Sequence, residues 1–292
     1  MRVWIIKSAP YEENVKMKVS KIYSKNAAYQ KFEVLKSNRN KRYKYNEFLV
    51  EGVRNINEAI RNHWEIASFI YSGENKLSGW AKEILTNVET EVNYQLTPQL
   101  MADISGKEDT SELLAIVKMR KDDLSALYEA ENPLIAVFDR PSNKGNLGTI
   151  IRSCDSFGID GLIITGHAVD LYDSNVVTSS MGSFFNVPVF RVSDNKTLFD
   201  FFDKMKNKFQ DFQIIGTTAH REKPIFQVDF TVPTAFMIGN ETDGLNRAFK
   251  ERCDVLMTIP MSERSSASSF NVGCAATVFF YEAVRQRSIK EA

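Results

Sequence analysis

The segment "NKGNLGTIIRSCDSFG", residues 143–158, places Asn146 and Arg152 on what reads as a helix that starts among glycines. A guanidinium stays charged near neutral pH, so Arg152 is a poor general base. It is better suited to stabilising a developing alkoxide or clamping a phosphate. Asn146 stands where its side chain can cap free backbone N–H groups. Gly145 and Gly148 permit a tight turn or a close approach. Taken alone, the segment equally fits a capped amphipathic helix carrying a solvated arginine.

The elements that must position these residues follow from the apolar pattern. Leu147, Ile150, Ile151, Cys154 and Phe157 recur at helical spacing and form a core-facing stripe, with Arg152 nearly opposite. Short apolar runs recur at 134–138, 161–165, 187–192, 212–216, 235–238 and 255–259, mostly with helical stretches between them. Strands alternating with helices predict an α/β domain with a mostly parallel sheet covered on both faces. Ligands bind such sheets beyond the carboxyl ends of the strands. Polar, glycine-bearing segments follow the first, fourth, fifth and last runs: residues 143–148, "GTTAHREK", "GNETDG" and "PMSERSSASSFN". Four loops are therefore expected to converge on one site. The first strand is not followed by GxGxxG, which argues against a nicotinamide-binding Rossmann domain.

Upstream, "EFLVEGVRNINEAIRNHWEIASFIYSG" reads strand, helix, strand, and further alternation runs to a strand near 113–118. Residues 118–133 are charged, end in proline and form the linker candidate. The expected organisation is a basic N-terminal arm at 1–46, a small α/β domain at 47–128 and a larger α/β domain at 133–292.

Composition narrows the function classes. The chain has 292 residues and zero net charge, yet residues 14–46 carry ten Lys/Arg against Glu33 alone. Aromatics interleave with these cations, a mixture suited to phosphate contact and base stacking. Lys36, Arg39, Lys41, Arg42 and Lys44 are the candidate nucleic-acid contacts, and a solvated face with inward-packed aromatics is the competing explanation. Three cysteines without a CxxC pair indicate a reducing compartment. The first residues hold only four consecutive apolar positions, too few for a signal peptide or a span, so a cytoplasmic protein without a membrane partner is expected. His63, His167 and His220 have no ligand-spaced partners, so no metal is expected.

Three ordered segments, "NKGNLGTIIR" (143–152), "MIGNETDGL" (237–245) and "IPMSERSSASSFNVGCAATVFFYEA" (259–283), resemble the SpoU/TrmH branch of the SPOUT RNA methyltransferases. A fourth, "SSMGSFFNVPV" (179–189), matches the Gly-then-Val-Pro element of that family, and the resemblance spans about 133–287. "FLVEG" and the helix after it look like the family's small substrate-binding domain. The resemblance implies a deep trefoil knot holding S-adenosyl-L-methionine, with two subunits sharing the site in a homodimer. It places functional roles on Arg152, Asn146, Glu241, Ser269 and Asn271, and puts Thr217, Gly239, Ile259 and Phe270 around the cofactor. The outward side of the Arg152 helix would then line the site of methyl transfer.

Two departures stand out. Thr242 occupies the usual glycine of the family's GNEG, so the turn there must accommodate a β-branched residue. Seven residues separate "IPM" from "SFN" where five are common, and Phe270 replaces a leucine. The implied activity is S-adenosylmethionine-dependent methylation of a ribose 2′-hydroxyl in structured RNA, rRNA rather than tRNA. The alternative is a non-catalytic RNA-binding or ribosome-assembly protein that retains the fold.

Overall fold

The six apolar runs of the C-terminal half become strands because every second side chain meets a different face, and both faces are covered. In a computed structural model, which describes residues 18–105, 109–220 and 222–291, they are β6 (Leu134–Asp139), β7 (Gly161–Thr165), β8 (Val189–Val192), β9 (Gln213–Thr217), β11 (Thr234–Ile238) and β12 (Val255–Thr258). A two-residue strand that the apolar pattern does not mark, β10 (Lys223–Pro224), adds an edge. All seven are parallel, in the order β10-β12-β9-β11-β6-β7-β8. On β6, Ala136 and Phe138 face one core with Leu147, Ile150 and Phe280, while Ile135 and Val137 face another with Leu198, Phe202 and Phe249. This double burial is the expected signature of a parallel sheet between helical layers.

The first layer is built by α6 (Lys144–Ser156), α7 (Ser174–Ser179) and α10 (Val272–Glu291); the second by α8 (Asn195–Lys208) and α9 (Arg247–Arg252). The apolar stripe of α6 is buried as its spacing predicts. A methyl group on Gly148 would stand 2.4 Å from Ser179 Cβ and 2.9 Å from the Val176 carbonyl, so only glycine lets α6 and α7 approach this closely.

The small domain contains β1 (Val19–Ile22), α1 (Ala27–Ser37), α2 (Arg39–Tyr45), β2 (Glu47–Glu51), α3 (Val53–Arg61), β3 (Ile66–Ser72), α4 (Gly79–Asn87), β4 (Asn93–Leu96), α5 (Pro98–Ile104) and β5 (Leu113–Lys118). Its sheet runs β1-β4-β3-β5-β2. The described part of the basic segment is thus not a free arm. It supplies an edge strand and two helices, and Tyr29 and Phe32 are fully buried in the small domain's core. Residues 1–17 of that expected arm lie outside the described residues.

The two domains share apolar packing. Phe48 and Trp64 of the small domain pack among Tyr172, Phe184 and Phe185, and Trp64 Nε1 donates to the Phe185 carbonyl at 2.8 Å. The linker candidate also packs down. Leu127 is buried, and Asp122 takes a bidentate hold on Arg191.

Candidate active site

Strands β6, β11, β9 and β12 are consecutive neighbours in the sheet, so the loops after their carboxyl ends open onto one place. All four loops line a cavity of about 500 Å³: Asn146 after β6, Thr218 to His220 after β9, Gly239 to Leu245 after β11, and Ile259, Met261, Ser269 and Phe270 after β12. The start of α10, with Asn271, Val272 and Ala275, closes the wall.

The helix carrying Asn146 is capped by Asn143, whose Oδ1 accepts from Asn146 N at 3.0 Å. This corrects the expectation that Asn146 is itself the cap, and it leaves the Asn146 amide for longer-range bonds. Asn146 Nδ2 donates to Glu241 Oε1 at 3.2 Å, while its Oδ1 accepts from Asn271 Nδ2 at 3.1 Å. Asn271 Oδ1 in turn accepts from Gly273 N at 2.9 Å and Cys274 N at 3.3 Å, capping α10. One chain of hydrogen bonds therefore joins three distant segments at the cavity wall.

Glu241 also accepts from Ser142 Oγ at 2.6 Å, Ser142 N at 3.1 Å and Asn143 N at 3.2 Å. Partial burial opposes its charge, but the hydrogen bonds from Ser142 and Asn146, with a backbone N–H of its own, prevail. The carboxyl is held below the ordinary glutamate range.

The "GNETDG" loop folds back on itself. A methyl group on Gly239 would lie 2.5 Å from Gly244 C and Leu245 N, so this position requires glycine. Asn240 and Gly244 exchange backbone hydrogen bonds at 3.1 and 3.0 Å, and Asn240 Oδ1 accepts from Thr242 N at 2.8 Å. The left-handed conformation falls on Gly244, at φ +66°, and not on Thr242. The β-branched residue is accommodated because the turn places its demanding position two residues later.

Of the residues expected at the cofactor, Thr217, Gly239, Ile259 and Phe270 all line the cavity. The Thr217 hydroxyl donates to the Met237 carbonyl at 3.1 Å. Ser269 lines the cavity but is exposed, and the capping of α10 falls to Asn271. Arg152 is exposed and does not line the cavity. Six residues advance a helix by about 9 Å and rotate it by about 240°, so Arg152 and Asn146 cannot share a face. Within one chain the structure brings together Asn146, Glu241, Ser269 and Asn271, and leaves Arg152 apart.

The expected RNA contacts divide. Arg42 is 1% exposed and cannot reach a nucleic acid. Its Nε and Nη2 meet Asp170 Oδ2 at 2.7 and 2.6 Å, its Nη2 lies 3.6 Å from Asp173, and its Nη1 donates to the Leu35 and Lys36 carbonyls at 2.9 Å each. Lys36 Nζ donates to the Ile104 and Ser105 carbonyls, at the end of α5. Arg39 is exposed but donates to the Ala168 carbonyl at 2.9 Å, whereas Lys41 and Lys44 point to solvent.

Residues with no motif signal also shape the site. Ser142 and Asn143 hold Glu241 although nothing in their spacing distinguishes them from ordinary loop residues. Lys250 of α9 lines the cavity from a helix whose sequence marks only its apolar side. Buried Asp139 accepts from Arg140 Nε and Nη2 at 3.0 Å each, and from Asn246 N at 3.1 Å. It thereby ties the loop after β6 to the loop after β11.

The lining fits S-adenosylmethionine. It is large enough for a nucleoside with a short tail, and Ile238, Ile259, Phe270 and Phe279 offer apolar cover. The acids Glu241 and Asp243 line the cavity beside one lysine, Lys250, among the described residues, a set of charges compatible with a cationic sulfonium. The described residues contain no cluster able to hold a metal and no helix long and apolar enough to cross a membrane.

Comparisons agree with this geometry. Residues 133–281 match the SpoU rRNA Methylase family, and residues 26–115 match the SpoU L30e-like domain. The 23S rRNA (uridine(2479)-2′-O)-methyltransferase of Streptomyces viridochromogenes is 42% identical over 268 residues, 91% of this chain and 92% of that protein. The 23S rRNA (guanosine(2553)-2′-O)-methyltransferase RlmP of Bacillus subtilis is 24% identical, over 82% of this chain and 89% of its own. The crystal structure of the SpoU methyltransferase AviRb from Streptomyces viridochromogenes, in complex with AdoMet, superposes with a TM-score of 0.85 at 42% identity. The match covers 90% of this chain and 98% of that one.

Proposed function

Because the chain belongs to the SpoU rRNA methylase family, we propose that it transfers a methyl group from S-adenosylmethionine to a ribose 2′-hydroxyl of 23S rRNA. The observation that carries this reading is the hydrogen-bonded chain Glu241–Asn146–Asn271 on the wall of a nucleoside-sized cavity at four adjacent strand ends.

When bound, the cofactor supplies an electrophilic methyl group on sulfur. The remaining work is positioning, because the hydroxyl oxygen, methyl carbon and sulfur must be held near a line. Glu241, ionised and held by four donors, pins the loop after β11 against the start of α6. Asn146 and Asn271 hold each other and fix the α10 terminus beside Ser269 and Phe270. Thr217, Gly239, Ile259 and Phe270 form the cofactor's walls. Arg152 stabilises the developing alkoxide or its neighbouring phosphate in a site completed by a second subunit, which explains why its own chain leaves it outside the cavity. Exposed Val278, Tyr281 and Ile289 on α10 support the homodimer. The C-terminal chain is threaded as the family's trefoil knot, and the protein works in the cytoplasm, where its RNA is. The Thr242 turn is built without strain on the threonine, which removes one ground for a non-catalytic reading.

The test incubates the protein with unmodified, in vitro transcribed 23S rRNA and methyl-labelled cofactor, then maps the product by nuclease digestion and mass spectrometry. One labelled 2′-O-methylnucleoside is expected. Label on a base, or no label on any rRNA, would overturn the reading.

A further inference from the structure

Between the domains lies a second cleft of about 360 Å³, on a different face of α6 from its packing against the sheet. The small domain contributes Arg54, Glu58, Arg61 and Asn62 from α3 and its end. The large domain contributes Asp155 of α6 and the turn around Ser183 and Asn186.

The acids of the cleft are already committed. Asp155 Oδ2 accepts from Ser183 Oγ at 2.7 Å and its Oδ1 from Asn186 Nδ2 at 2.5 Å. Glu58 Oε2 accepts from Asn62 Nδ2 at 3.3 Å, and Glu58 Oε1 lies 3.7 Å from Arg61 Nη1. Among the described residues Arg61 is held only by this loose contact, and its side chain is 79% exposed. The exposed Arg54 has no carboxylate within ion-pair distance among the described residues, and its Cγ and Nε lie over Gly182. Gly182 has φ +95° and Met181 before it φ +54°, so the floor under Arg54 is a turn that a bulkier residue at 182 would block. Asp155 stands three residues after Arg152, so the next turn of the same helix face carries the guanidinium assigned to the methylated nucleotide. Arg54 and Arg61 thus line the small-domain side of the cleft, and Asp155, from the helix that carries Arg152, lines the other.

We propose that this cleft holds backbone phosphate of the rRNA strand flanking the methylated nucleotide, with Arg54 and Arg61 as its donors. A planar guanidinium pairs with phosphate through two parallel N–H bonds, and Met181 is the single large apolar side chain of the lining, which disfavours a protein partner. The inference rests on the rRNA methyltransferase reading. It moves the phosphate contact from α2, where the charge run points, to α3.

The experiment measures filter binding of unmodified 23S rRNA to the full chain across a salt series. The variants are Arg54→Ala/Arg61→Ala and the charge-keeping Arg54→Lys/Arg61→Lys, with cofactor affinity followed by calorimetry. The alanine pair is expected to raise Kd roughly tenfold and to flatten the log–log salt slope by about 1.4, since each phosphate contact to a single strand contributes about 0.7. The lysine pair should keep most of the slope, and cofactor affinity should not change. Wild-type Kd and slope in the alanine pair would overturn the inference. A raised Kd with an unchanged slope would assign the arginines to bases and overturn the phosphate role. Loss of cofactor affinity would assign them to folding and overturn it too. A wild-type protein that fails to methylate any rRNA would instead overturn the functional reading, and this inference with it.

Discussion

Asn271 donates to Asn146 at 3.1 Å, joining residues 125 positions apart at the point where the α10 cap meets the first turn of α6. Each asparagine is also fastened elsewhere, Asn146 to Glu241 and Asn271 to the N–H groups of Gly273 and Cys274. The pair acts as one joint, and its members should not contribute independently. Asn146→Ala and Asn271→Ala are each expected to destabilise the chain by about 1 kcal/mol. The double variant should cost less than their sum by about 0.5 kcal/mol or more. Urea denaturation of the four proteins in the cycle checks this.

Glu241 ties acid stability to the site. Its folded pKa lies below the ordinary value of 4.5, so on acidification the unfolded chain takes up the proton first. The stabilisation is complete above that value and is lost as pH falls from there through the lower folded value. Glu241→Gln should therefore show a flatter decline of stability below about pH 4.5. Parallel pH–stability curves for wild type and variant would refute the assignment.

Arg152 is exposed and lies off the apolar stripe, so Arg152→Ala should alter stability by less than about 0.5 kcal/mol and leave cofactor affinity unchanged. Methyl transfer in a single turnover should fall roughly a hundredfold. Arg152→Lys should rescue little, because a point charge does not reproduce a planar fork. Mixing the Arg152→Ala chain with a chain disabled at Asn146 should recover activity if each site draws its arginine from the other subunit.

Arg42 and its neighbours on α2 should behave oppositely. Arg42→Ala leaves buried Asp170 without its cation, while Asp173 keeps Lys144 Nζ at 2.9 Å, and truncating one member of a buried pair typically costs about 3–5 kcal/mol. Lys41→Ala/Lys44→Ala should stay within about 0.5 kcal/mol. Thermal melts of the two variants separate a structural cation from solvated ones.

The Thr242 turn gives a paired test. Thr242→Gly should destabilise by about 0.4–1 kcal/mol, because it frees the unfolded chain while relieving no strain. Gly244→Ala should cost about 1–2 kcal/mol, since φ +66° penalises any Cβ even where, as here, nothing stands within 4 Å.

The period of the apolar residues by itself determined the parallel sheet between two helical layers, the buried stripe of α6 and the position of the polar loops after strand ends. Those features are local, because they depend on which side of a strand or helix a residue occupies. Strand order is not local. That β6, β11, β9 and β12 are neighbours, which is what brings the four expected loops together, was decided by crossover connections that no periodicity records. The same limit applies to the charged residues. A run of cations does not disclose that Arg42 turns inward to Asp170, 128 positions away, while Lys41 beside it remains in water. Capping chemistry was legible as a residue type but not as an address: Asn143 caps α6, and this leaves Asn146 for Glu241 and Asn271. Arg152 shows the converse. Its outward position follows from 3.6 residues per turn, but its separation from the cavity of its own chain emerges only when the loops are in place.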